Sequence, residues 1–128
     1  MSDVLRTFAR WSSDRNFHLW RYTSSHSQVL LRSFDRDTVP DIIQIVFSSV
    51  ERVELNQFYM GGIAIESVVS HGDYPGVRRG SPLLQLEITS PAGPGFVALA
   101  GGVRITRLSK AGEELELLHS SKTGPKQG

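Results

Sequence analysis

Residues 16–33 read NFHLWRYTSSHSQVLLRS, and the reading of this stretch decides how the rest of the chain is taken. Two runs that alternate apolar and polar residues flank a short serine-rich link, the form a β-hairpin takes in sequence. Successive side chains of a strand point to opposite faces. The first run, 16–22, therefore sets Phe17 and Leu19 on one side and His18, Trp20 and Tyr22 on the other. The second, 26–33, divides Val29 and Leu31 from Gln28, Leu30 and Arg32. The link Thr23-Ser24-Ser25 lacks glycine, so a turn of about three to five residues is expected in place of a two-residue primed turn.

Upstream, Val4, Leu5, Phe8 and Trp11 recur at spacings of one, three and three, the stripe of a short amphipathic helix. Ser2 or Asp3 would cap it, and the polar cluster 12–14 would end it. Such a helix needs a surface to cover. If it lies on the His18-Trp20-Tyr22 face, those rings are packing; if it lies elsewhere, they form an open patch.

Downstream, residues 34–40 (FDRDTVP) read as a charged surface loop, and 42–47 (IIQIVF) as a buried central strand rich in β-branched residues. Ser48-Ser49 predicts a bulge or bend before a second segment at 50–55, taken as strand with one helical turn as the alternative. Phe58 and Tyr59 lie in a connector and look exposed. Strands are expected at 62–69 and 83–89, separated by a long glycine- and proline-containing segment, 70–82, of the kind that is often functional in compact domains. SPAGPG at 90–95 reads as a turn. The run 96–108 is expected to kink at Gly101-Gly102, and Lys110–Glu113 turns into a last strand at 114–118.

No strand–helix–strand alternation occurs, so the sheets should be antiparallel. The expected fold is mainly β: an antiparallel barrel or two-sheet sandwich of about seven strands with a short N-terminal helix. Residues 1–118 would form a single domain, and 119–128 a flexible polar tail.

Composition narrows function mostly by exclusion. A chain of 128 residues can bury a true core without staples, and the lack of cysteine removes disulfides, thiolate metal sites and thiol nucleophiles. Fourteen basic and thirteen acidic side chains leave a net charge of +1, without the basic excess that replaces counterions on nucleic acid. No stretch of eighteen apolar residues and no leader-like N-terminus occur, so a cytoplasmic protein with no membrane contact is expected. The basic residues are eleven arginines and three lysines, which fits a coding bias better than a dedicated guanidinium surface.

Chemistry-bearing residues are present but not in catalytic spacings. Ser24, Ser25 and His26 juxtapose hydroxyls and an imidazole, yet sequence neighbours on a turn seldom have nucleophile–base geometry, and backbone-bonding serines explain the cluster. His18, His26, His71 and His119 match no metal-binding spacing, so no metal and no cofactor are expected. Arg78 and Arg79 sit between glycines without a phosphate-loop pattern and read as a flexible basic loop.

What remains is a set of amphipathic side chains suited to contacts: His18, Trp20, Tyr22, Arg21, Phe58, Tyr59, Arg78 and Arg79. The leading expectation is a non-catalytic β-domain acting through protein–protein interaction, with a copy of itself as one such partner. The alternative is a small-molecule-binding β-barrel with its mouth at 70–82 and the Phe58-Tyr59 connector.

Overall fold

The structure is a computed structural model, and it describes residues 8, 10–23, 27–34, 41–67 and 84–121. The strands are β1 (Trp11–Ser13), β2 (Asn16–Thr23), β3 (Gln28–Phe34), β4 (Asp41–Phe47), β5 (Val50–Glu54), β6 (Phe58–Tyr59), β7 (Ile63–Ser67), β8 (Leu84–Thr89), β9 (Gly95–Leu99), β10 (Val103–Ser109) and β11 (Glu114–Ser121). They form a five-stranded sheet in the order β1-β7-β8-β9-β5 and a six-stranded sheet in the order β11-β10-β4-β3-β2-β6. Every pairing is antiparallel. The sheets pack as an open two-layer sandwich and do not close into a barrel.

The opening hairpin is β2–β3, running from the Asn16–Phe34 pair to the Thr23–Gln28 pair. Alternation fails at one point. A bulge between Leu19 and Arg21 brings Arg21 opposite Leu30 and Tyr22 opposite Val29, so Tyr22 leaves the face of His18.

There is no helix among the described residues, which corrects the expected N-terminal one. Trp11, placed at the end of a helical stripe, instead opens β1 and pairs with Ile65 on the edge of the five-stranded sheet. The stripe assumed a period of 3.6; hydrogen bonding to the open edge of β7 imposes a period of two here. Phe8 is 4% exposed. Its N–H donates to Ser67 Oγ at 2.6 Å, and its ring meets the His119 ring edge-on at 4.6 Å. Residues 1–7 and 9 of the expected helix lie outside the described residues, as do 24–26, 35–40, 68–83 and 122–128.

Two sharp corners carry the chain between layers. After Phe47 the chain turns at Ser48-Ser49 from the six-stranded sheet into β5 of the other; after Leu99 it turns at residues 100–102 from β9 back into β10. β4 and β10 are neighbours in one sheet, β5 and β9 in the other, so the corners lie side by side. They are bonded to each other by Ser48 N–H to Gly102 O (3.0 Å), Ala100 N–H to Ser49 O (2.8 Å) and Gly101 N–H to Ser48 O (3.1 Å). The two segments read from sequence as strands interrupted at Ser48-Ser49 and Gly101-Gly102 are thus one long antiparallel pair, folded over at a single crease.

The core fills the space between layers. Phe17, Leu31, Ile45, Phe47 and Ile105 from one sheet face Ile65, Leu84, Leu86, Ile88 and Leu99 from the other, all fully buried. β11 runs three residues past its expected end, with His119 in register with Ile105. No helix among the described residues is long and apolar enough to cross a membrane.

Candidate functional site

The outer faces of the two sheets differ in kind. On the five-stranded sheet, register aligns Arg52, Ala98 and Gln85 in one row and Glu54, Phe96, Glu87 and Glu66 in the next. Charged side chains dominate this face, and Arg52–Glu54 and Arg10–Glu66 are ion-paired on it. At its centre, however, Phe96 and Ala98 of β9 are buried.

The six-stranded sheet carries fewer charges at its centre and more apolar side chains. One row crosses all six strands: Phe58, His18, Arg32, Gln44, Thr106 and Leu117. The flanking rows hold Leu30 beside Val46 and Ile42 beside Leu108. Thus β3 and β4 are apolar on both faces. Phe58 (50% exposed), Trp20 (44%) and Leu117 (46%) stand open. At the far end Arg104 reaches along its own strand past Thr106 to the carboxylate of Glu114, with Nη2 at 3.0 and 2.8 Å from the two oxygens. Thr106 and Leu108, which this pair spans, are buried.

At the β2–β3 end the face becomes an aromatic cluster. His18 stands edge-on to Trp20 (5.7 Å) and to Phe34 (5.3 Å) and stacks with Phe58 (6.4 Å). The Arg32 guanidinium carbon lies 4.5 Å from the centre of the Trp20 ring, and its Nε–H donates to Gln44 Oε1 at 2.8 Å. Partial burial, and then the Arg32 charge, hold the His18 imidazole below the ordinary histidine pKa, so it is neutral at pH 7. Burial and then the nearby Arg21 charge lower Arg32 in turn, though a guanidinium stays protonated.

A depression of about 430 Å³ opens here, walled by His18, Trp20, Arg32, Phe34, Ile42 and Lys110, with Asp41 at its rim. A larger hollow of about 840 Å³ lies over Ser12, Ser13 and the Gly61-Gly62 turn; it is open, and among the described residues its only charged group is Asp14. Of the two, the smaller holds the convergent chemistry.

Asp41 closes a chain of alternating charge. Arg15 Nη1 lies 2.8 Å from its Oδ1, Arg107 Nη1 donates to its Oδ2 at 3.0 Å, and Arg107 Nε donates to Glu116 at 3.1 Å. Burial opposes ionisation of Asp41, but the bonds from Arg107 and Arg15 outweigh it and hold its pKa below the ordinary carboxylate value of 3.8. A depressed carboxylate contributes stability that is complete above the unfolded pKa and lost as pH falls through the folded one. The urea midpoint should therefore hold from neutral pH to about pH 5 and drop below about pH 4. Asp41→Asn should flatten that drop at a cost of about 1 kcal/mol at pH 7, the solvent around both arginines keeping the figure small. An unchanged acid limb in the variant would assign it to other carboxylates.

The residues singled out in sequence fare differently. His18, Trp20, Arg21 and Phe58 share the outer face. Tyr22 is turned from it by the bulge and stays exposed at the hairpin end. Tyr59 is a core residue: it pairs with Phe17, is fully buried, and its hydroxyl accepts the Asn56 N–H at 2.9 Å. Arg78 and Arg79 lie outside the described residues, as do Ser24, Ser25, His26 and His71. Phe34, Ile42, Gln44, Val46 and Lys110 were not foreseen as site residues. The even-numbered apolar positions of β3 and β4 were the available signal, since a strand with one wet face should not carry them. Among the described residues no three His, Asp or Glu side chains converge as a metal site.

No family model, curated protein or solved structure matches this chain.

Proposed function

We propose that the protein is a non-catalytic interaction domain whose working surface is the outer face of the six-stranded sheet, and that it docks there a second copy of itself. The observation that carries this reading is that β3 and β4 turn Leu30, Ile42 and Val46 outward while Val29, Leu31, Ile43 and Ile45 fill the core. Apolar side chains on the outer face of a sheet, here in rows on either side of Arg32, Gln44 and Thr106, are the mark of a surface that is covered in use.

Charge and size favour a copy as the cover. Arg21 and Arg32 mark one end of the face; at the other Glu113 is exposed, and Glu114 is held by Arg104. A two-fold axis running along the strands through the middle of the sheet sets the β11 end of each copy over the β2–β3 end of the other, so that Leu117 of one copy lies towards the Phe58 and His18 rings of the other. Five strands of seven or eight residues and the two-residue β6 give a footprint of about 600 Å² per copy. Doubling it gives about 1,200 Å², at the lower edge of the range of specific interfaces.

Sedimentation velocity from about 1 to 200 µM should show a concentration-dependent monomer–dimer equilibrium, as a weak interface of this size predicts. Leu30→Glu should shift it to monomer while leaving the urea midpoint within about 0.5 kcal/mol, the expectation for a surface site. A wild-type monomer across the whole range would defeat the reading.

A further inference from the structure

The depression at the β2–β3–β4 end carries an inference of its own, which concerns the monomer, since the proposed association would cover it. Its cations are not balanced by its acid. Asp41 is already held by Arg15 and Arg107, while Arg32 and Lys110 have no ion-pair partner among the described residues. Arg32 is also fixed in place. Its Nε–H is committed to Gln44 and its plane is supported by Trp20, which leaves the terminal nitrogens of the fork as donors without a partner among the described residues.

The remaining walls are rings. Trp20 and Phe34 each stand edge-on to His18, with Ile42 beside them, giving faces and edges onto which a flat apolar body can pack. With His18 neutral, the positive charge is concentrated at Arg32 and Lys110. A fork of N–H donors facing a carboxylate is the geometry of the strong bidentate pair. The volume, about 430 Å³, suits a small ligand.

We propose that this depression binds a small aromatic carboxylate, with the carboxylate on the Arg32 fork and near the Lys110 ammonium, and the ring against Trp20 and Phe34. Neither half of the site suffices alone. A bare anion would leave the rings wet, and a neutral ring would leave the guanidinium unpaired.

The test is a titration of the full chain at low micromolar concentration, read by 1H–15N correlation spectra at the Trp20 indole and Arg32 Nε–H signals. The probes are benzoate, benzamide and acetate. Benzoate should give saturable shifts at both signals with a Kd of about 1 mM, in keeping with so few heavy atoms, and at least tenfold tighter than either control. Arg32→Lys keeps the charge but loses the fork, and should weaken benzoate about tenfold; Arg32→Gln should abolish saturation. Lys110→Ala should weaken it a few-fold. Thermal melts of each variant separate loss of binding from loss of fold.

Equal binding of benzamide would show a ring site without anion recognition, and equal binding of acetate a diffuse charge effect; either overturns the proposal. So does an absence of saturation by about 20 mM benzoate, a concentration at which a 1 mM site would be filled. Sedimentation is read separately, so failure of this site and failure of self-association are distinguishable.

Discussion

Gly101→Ala should cost about 3 kcal/mol, a large share of the stability of a typical domain, although it adds a single methyl group. A Cβ at Gly101 would sit 2.5 Å from the carbonyl oxygen of Ser48 and 2.9 Å from its carbon. Both are backbone atoms of the neighbouring corner, and that corner is held by its own bonds to Gly102 and Ala100. No side chain can swing aside, so the crease between the sheets must open. Because β4, β5, β9 and β10 all leave this crease, the damage should reach both layers. Gly112→Ala is the control. Gly112, unlike Gly101, takes a positive φ, +96°, but a Cβ there meets nothing within 4 Å, so only the left-handed backbone is penalised, about 1 kcal/mol. Urea denaturation of both variants checks the ranking; equal losses would mean the corners yield more easily than their bonding implies.

The second large effect separates two adjacent aromatics. Tyr59→Ala should lose about 3–5 kcal/mol, the cost of emptying a fully buried ring site, with the Asn56 N–H left without its acceptor. Tyr59→Phe should lose only about 1 kcal/mol, the value of that one bond. Phe58→Ala, one residue away and half exposed, should fall within about 1 kcal/mol of wild type, since it removes only the rim contacts with His18 and Phe34. Its effect should instead appear in self-association. A Phe58 variant as unstable as the Tyr59 variant would mean the two-residue strand β6 is not the hinge between core and surface that its register makes it.

That contrast marks how far the chain could be read before folding. Local alternation in 16–33 determined the opening hairpin, and glycine, proline and serine punctuation determined where later strands stop: at Ser48-Ser49, at 90–95, at Gly101-Gly102 and at 110–113. Those signals live in the backbone preferences of a few consecutive residues, so they survive without tertiary contacts. The absence of strand–helix alternation likewise sufficed for an antiparallel, mainly β chain.

Register and layer assignment did not survive in the same way. Nothing local in Phe58-Tyr59 says which ring faces the core; pairing with His18 and Phe17 decides it. The bulge that returns Arg21 to the face of Arg32 and removes Tyr22 depends on how β2 settles on β3, and a one-residue offset reverses every side chain beyond it. Trp11 follows the edge of β7 in place of a helical stripe. The depression itself joins residues from β2, β3 and β4 with Lys110 of the β10–β11 turn, which only the strand order brings together. Short-range physics set the elements, and long-range hydrogen bonding between them set the site.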